Sequence, residues 1–199
     1  MPRRPSHRPY NVRGSCLQVM SRTPRIGRRE LLKGGIGAGI GLSLAPCLAA
    51  GQDDPAAARP KPGDLLVREG DETRTPLTPA DLVADAKPIL AWAMDPNEKV
   101  VRGASRFNKL VVVRVGPGDD AVFANTIICT HDGCDVTEWL GDEHMLSCPC
   151  HYSKFDPKES GRVVSGPAPR ALPSLPLTVA DGRLVVARPF TSRVGFESQ

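Results

Sequence analysis

The chain has 199 residues, 20 prolines, 19 glycines, six cysteines, 5% aromatic residues and a formal net charge of +4. This suits one domain of ordinary size plus a tail, built from short strands and many turns more than from long helices. Residues 1–33 hold nine Lys/Arg and one acid while the remainder holds 17 Lys/Arg against 21 Asp/Glu, so the basic charge sits in an arm and the body is no nucleic-acid binder.

In chain order, the arm comes first. Arg28 and Arg29 precede Leu31-Leu32-Lys33 and then a Gly/Ala-rich apolar run over residues 34–50 that ends in small residues. A basic region, an apolar stretch and a small-residue end make an export signal. The adjacent arginines resemble the twin-arginine type, which exports folded proteins. Residues 1–51 therefore read as a basic arm and a signal, or a retained anchor helix; the run is marginal against the about 20 residues that span a bilayer. Translation from Met20 instead of Met1 also fits the pattern. The destination is the periplasmic side of a bacterial inner membrane, where a disulfide persists. Residues 52–64, polar and proline-rich, read as a flexible linker.

From residue 65 to 199 the signals are those of strands. Residues 88–94, 110–115 and 121–124 are β-prone runs, and Pro117-Gly118-Asp119-Asp120 reads as the hairpin turn between the last two. Residues 175–179 and 184–187 flank Asp181-Gly182, a second hairpin. Thr78-Pro79-Ala80-Asp81 opens at most a short helix. The predicted fold is all-β, a small antiparallel sandwich or barrel, with its functional part at about residues 127–170.

Two short boxes fall there: Cys129-Thr130-His131-Asp132-Gly133-Cys134 and Cys148-Pro149-Cys150-His151-Tyr152-Ser153. Each offers one Cys and one His on a tight loop, plus one further Cys. Sixteen residues separate His131 from Cys148, room for an outward and a returning strand, so two loop tips can clamp one metal centre. Two thiolates and two imidazoles suit a [2Fe–2S] centre in which His₂ replaces Cys₂ on one iron. Zinc accepts the same donors, but Cys-x-His with Cys-x-x-His is not zinc-finger spacing, and zinc leaves the spare cysteines unexplained. A zinc- or disulfide-stabilised binding module is the rival that carries no electron. His144, outside the boxes, reads as surface decoration.

The boxes resemble those of the Rieske iron–sulfur family, over roughly residues 104–190. The resemblance implies one [2Fe–2S] cluster, with Cys129 and Cys148 on the inner iron and His131 and His151 on the outer, redox-active iron near solvent. It implies a disulfide between Cys134 and Cys150, as in the cytochrome bc-type and arsenite-oxidase-type members. Gly166-Pro167-Ala168-Pro169 stands where the family has a proline loop over the cluster. Ser153 matches a serine whose hydroxyl reaches a bridging sulfide, and Phe155 falls where high-potential members have a tyrosine. Phenylalanine cannot donate that bond, which predicts a potential inside the Rieske range of about −150 to +300 mV but below its top. Asp132 and Tyr152 replace the Leu and Gly usual in quinol-oxidising members, and the 151–156 run looks more like that of arsenite-oxidase small subunits.

The expected function is one-electron transfer within a larger oxidoreductase, with no substrate-converting site in this chain. The first expectation is the iron–sulfur subunit of a membrane-associated quinol–cytochrome c reductase-type complex, with a cytochrome b-type partner and a cytochrome c-like acceptor. The alternative is the small subunit of a periplasmic molybdenum oxidoreductase.

Overall fold

The computed structural model describes residues 54–196. The arm, Arg28, Arg29 and the apolar run lie outside the described residues. Among the described residues no helix is long and apolar enough to cross a membrane.

Among the described residues there are ten strands: β1 (Leu65–Arg68), β2 (Ile89–Met94), β3 (Leu110–Arg114), β4 (Val122–Thr126), β5 (Glu138–Leu140), β6 (Met145–Ser147), β7 (Lys154–Asp156), β8 (Arg162–Ser165), β9 (Leu177–Ala180) and β10 (Arg183–Val186). They form two antiparallel sheets, one ordered β4-β3-β2-β1-β10-β9 and one ordered β5-β6-β7-β8. The larger sheet curls on itself. Beside its edge strand β4, the segment leading into β9 pairs through Thr126 N–H to Pro173 O (2.9 Å) and Leu175 N–H to Ala124 O (2.8 Å). The smaller sheet is thus an insertion between β4 and β9.

Periodicity explains the layering. In β2, Ile89, Ala91 and Ala93 point inward, and their small size suits the narrow interior of a curled sheet. β3 reads Leu-Val-Val-Val without polar alternation because both its faces are covered. Leu110 and Val112 enter the core of the large sheet, whereas Val111 and Val113 enter a second core with Ile127, Ile128, Leu146 and Phe155. One strand therefore walls both cores. The turn at Asp181-Gly182 has φ of 48° and 71°, the paired positive values of a tight hairpin. The expected short helix is a 3-10 turn, Pro79–Asp81, whose Asp81 carboxylate accepts from the Thr78 N–H and hydroxyl, both at 2.7 Å.

The linker expectation needs correction over residues 54–64, which pack on the body. Arg102, 2% exposed, donates to both carboxylate oxygens of buried Asp64 (2.5 and 2.9 Å) and to Pro55 O (3.2 Å). Asn108 Nδ2 donates to Ala58 O (2.7 Å), and Arg59 donates to Phe107 O (2.9 Å). Proline and polarity suggested a free spacer. Partners some 40 to 50 residues downstream, invisible to local composition, hold it down. His144 is part-exposed at the surface, with Nδ1 2.9 Å from Asp85 Oδ1 and its ring near Trp139.

Candidate metal centre

Both boxes are six-residue loops closed by the same pair of backbone bonds. In the first, Cys129 N–H donates to Cys134 O (2.8 Å) and Gly133 N–H to Cys129 O (3.1 Å). In the second, between β6 and β7, Cys148 N–H donates to Ser153 O and Tyr152 N–H to Cys148 O, both at 2.9 Å. Each loop needs a left-handed residue at its fifth position, filled by Gly133 (φ 70°) and by Tyr152 (φ 59°). Tyr152 adopts it with its side chain 72% exposed.

The loops bring the expected ligands together as two pairs of opposite exposure, the thiols in one core and the imidazoles ring to ring. Cys129 and Cys148 are free thiols, 1% and 2% exposed, in the core walled by β3. His131 is half-buried and His151 exposed, their rings edge to face with centroids 4.7 Å apart. Burial, with Cys148 alongside, pushes the Cys129 thiol up to about 11. The neighbouring backbone N–H groups of His131 and Asp132 oppose the rise.

A disulfide joins Cys134 and Cys150, with Cα atoms 6.5 Å apart. The sulfurs of Cys134, Cys148 and Cys150 gather within 4.8 Å of one another, but the disulfide removes two of them from ligand chemistry. A third loop closes over the second box. Ala168 N–H donates to the hydroxyl of fully buried Ser153 (3.1 Å), and a side chain at Gly166 would collide with the Ser153 backbone at 2.4 Å. Thr130 Oγ1 donates to Arg170 O (2.7 Å), tying the same loop to the first box. Asp132 and Tyr152 are exposed beside the histidines, and Phe155 is wholly buried.

Sequence reasoning passed over Thr130, Arg106 and Phe196. Arg106 donates to Gly133 O (3.0 Å) and pairs with Asp135 (2.8 Å), and the Phe196 ring covers Gly133. No spacing signal marks any of them. A groove of about 760 Å³ lies elsewhere, between Lys87–Leu90 and Thr137–Leu140, and contains none of the expected ligands.

The family model of the Rieske [2Fe-2S] domain matches residues 91–176. The cytochrome bc1 complex Rieske iron-sulfur subunit of Streptomyces lividans is 31% identical over 149 residues, covering 67% of this chain and 85% of that one. The chain belongs to the Rieske iron–sulfur family. A Rieske relative from Haloferax mediterranei, carrying the name of a respiratory nitrate reductase subunit, is 46% identical over 69 residues, 34% of this chain and 30% of its own length. The cytochrome bc1 complex Rieske subunit of Corynebacterium diphtheriae is 46% identical over 74 residues, 37% of this chain and 18% of its own. The chain thus spans less than a third of those two relatives. Among solved structures, the plasma membrane Rieske protein of Synechocystis PCC 6803 is similar at 27% identity and a TM-score of 0.37, over 50% of this chain and 85% of that one.

A Rieske domain carries a [2Fe–2S] cluster. The donor set fits it: two free buried thiols, two adjoining imidazoles, and the two remaining cysteines of the boxes tied to each other.

Proposed function

We propose that the chain is the one-electron carrier of a membrane-associated quinol–cytochrome c reductase-type complex. Cys129 and Cys148 would hold the inner iron of its cluster, and His131 and His151 the outer one. The observation that carries this reading is the polarity of the site, with thiols sealed in the core and imidazoles at the surface. The cluster supplies reversible one-electron exchange, and the chain's residues decide where the electron can pass. The valines of β3 keep water from the thiol side. The imidazoles bring the outer iron within reach of a docked partner. Ser153 accepts from Ala168, which leaves its own proton free to donate to a sulfur and favour the reduced state. The disulfide holds both loops at the tip.

Names of relatives support a cytochrome b-type partner and a cytochrome c-like acceptor. The disulfide, with Arg28 and Arg29, supports twin-arginine export to the periplasmic side, where residues 1–51 serve as signal or anchor. A second reading, the small subunit of a molybdenum-type respiratory oxidoreductase, is favoured by the nitrate-reductase-named relative and by Asp132 and Tyr152 where a quinol pocket would meet the tip.

Dithionite-reduced protein is expected to give a Rieske-type paramagnetic signal that disappears in His151→Ala. Colourless protein holding zinc would sink both readings. Gentle detergent extraction separates them: a co-purifying cytochrome b supports the first, a molybdenum subunit the second.

A further inference from the structure

We propose that the C-terminal segment Arg193–Phe196 is a strap that positions the first box, with Phe196 as its contact and Arg170 as its lock. The inference rests on the reading of Cys129 as a cluster ligand and adds a part that the ligand set does not contain.

Past β10 the chain turns back toward the second core. Thr191 N–H donates to Ser174 O (2.9 Å), and Ser174 N–H returns the bond to Thr191 Oγ1 (3.0 Å). Arg170 then grips the segment at two points, donating to Arg193 O at 2.9 Å and to Gly195 O. Val194 is buried in the core that holds Cys129 and Cys148. Gly195 has φ of +117°, a conformation L side chains rarely adopt, and it packs beside the Phe107 ring. This bend delivers Phe196 onto the first box. A Cβ at Gly133 would stand 2.4 Å from the Phe196 ring, so Gly133 serves as the seat of that ring as well as a turn residue.

Gly133 is thereby fixed from two directions, by the ring on its α-carbon and by Arg106 on its carbonyl. Its own N–H donates to Cys129 O at 3.1 Å, and Cys129 N–H donates to Cys134 O at 2.8 Å, so the seat of the ring is bonded directly to the ligand residue's backbone. Arg170 also accepts from Thr130 through its own carbonyl, so one residue grips both the strap and the loop. Hydrogen bonds to ligand sulfurs favour the more negative, reduced cluster. A strap that holds the loop backbone around Cys129 in place therefore acts on the potential and not only on packing. Phe196 and Arg170 are positioning residues.

The test uses the full chain carrying Phe196→Ala, Phe196→Leu or Arg170→Gln. In cluster-loaded protein the midpoint potential is read from the paramagnetic signal. In cluster-free protein the rate at which dithiothreitol reduces Cys134–Cys150 reports loosening of the same loop. Phe196→Ala and Arg170→Gln are expected to lower the midpoint. They are also expected to speed disulfide reduction about tenfold, the effect of about 1.4 kcal/mol on local opening. Phe196→Leu, which keeps an apolar cover, is expected to restore most of both. An unchanged or raised midpoint with unchanged reduction rates overturns the strap, whatever happens to the melting temperature. Wild-type protein that never gives the paramagnetic signal overturns the cluster reading instead, and the reduction rates still decide whether the strap holds the loop.

Discussion

Replacing Phe155 with Tyr adds one hydroxyl inside the core that contains both free thiols. Phe155 is 0% exposed, lies opposite Leu146 and Val163, and shares its cluster with Cys129 and Cys148. The new O–H has no water to bond. If it reaches a ligand sulfur, it stabilises the reduced cluster more than the oxidised one. A differential of about 1 kcal/mol, typical of a net hydrogen bond, corresponds to about 40 mV for one electron. The expected result is therefore a midpoint raised by about 40 mV with stability nearly unchanged, since the added polar group is satisfied. Voltammetry and urea unfolding measure the two quantities on the same protein. An orphaned hydroxyl gives the opposite pair, no shift in potential and a loss of about 1–3 kcal/mol. That pair would refute the reasoning that a hydroxyl at position 155 reaches a ligand sulfur.

Three further outcomes follow from the same structure. Arg102→Ala strands Asp64 in the core without its guanidinium, and a loss of about 3–5 kcal/mol is expected in urea titrations; Arg102→Met combined with Asp64→Leu should recover most of it. Cys134→Ser with Cys150→Ser opens a link between residues 16 apart, and about 3 kcal/mol should be lost, read as a lower denaturation midpoint. The Asp81 carboxyl is held below its ordinary 3.8, first by the Thr78 N–H and then by the Thr78 hydroxyl, so its stabilisation is full above 3.8 and is lost as pH falls through the lower folded value. Melting temperatures of wild type and Asp81→Ala should thus differ at neutral pH and converge in acid.

What could be read in advance depended on whether a feature was local. The hairpins around Pro117–Asp120 and Asp181-Gly182 carry their turn chemistry between apolar runs, and both form. The boxes could be read because ligand chemistry restricts residue type and spacing together. Strands β7 and β8 carried no such mark: they are three and four residues long, and β8 is largely exposed. Residues 54–64 misled because their hydrogen bonds come from Arg102 and Asn108, far along the chain. Arg170 and Phe196 were silent for the same reason. An arginine after a proline loop and a phenylalanine near a terminus acquire meaning only when the fold sets Arg170 on the carbonyls of Arg193 and Gly195 and Phe196 on Gly133.

The placement of the site between two kinds of support bears on its use. Its inner side is built on β3, which is buried on both faces and cannot shift without disturbing two cores. Its outer side consists of three loops that meet at single contacts: the disulfide, Ser153 with Ala168, and Thr130 with Arg170. On the proposed function this division has a use: fixed thiols would keep reorganisation on electron transfer small, while the histidine side would be left to meet a partner. Tyr152 belongs to that outer side, holding a left-handed backbone at φ 59° that the first box assigns to glycine, yet leaving its ring 72% exposed. Packing does not account for an exposed ring there, since little of it is covered. If the ring meets the partner of the proposed complex, Tyr152→Gly should weaken partner binding while leaving the midpoint potential unchanged.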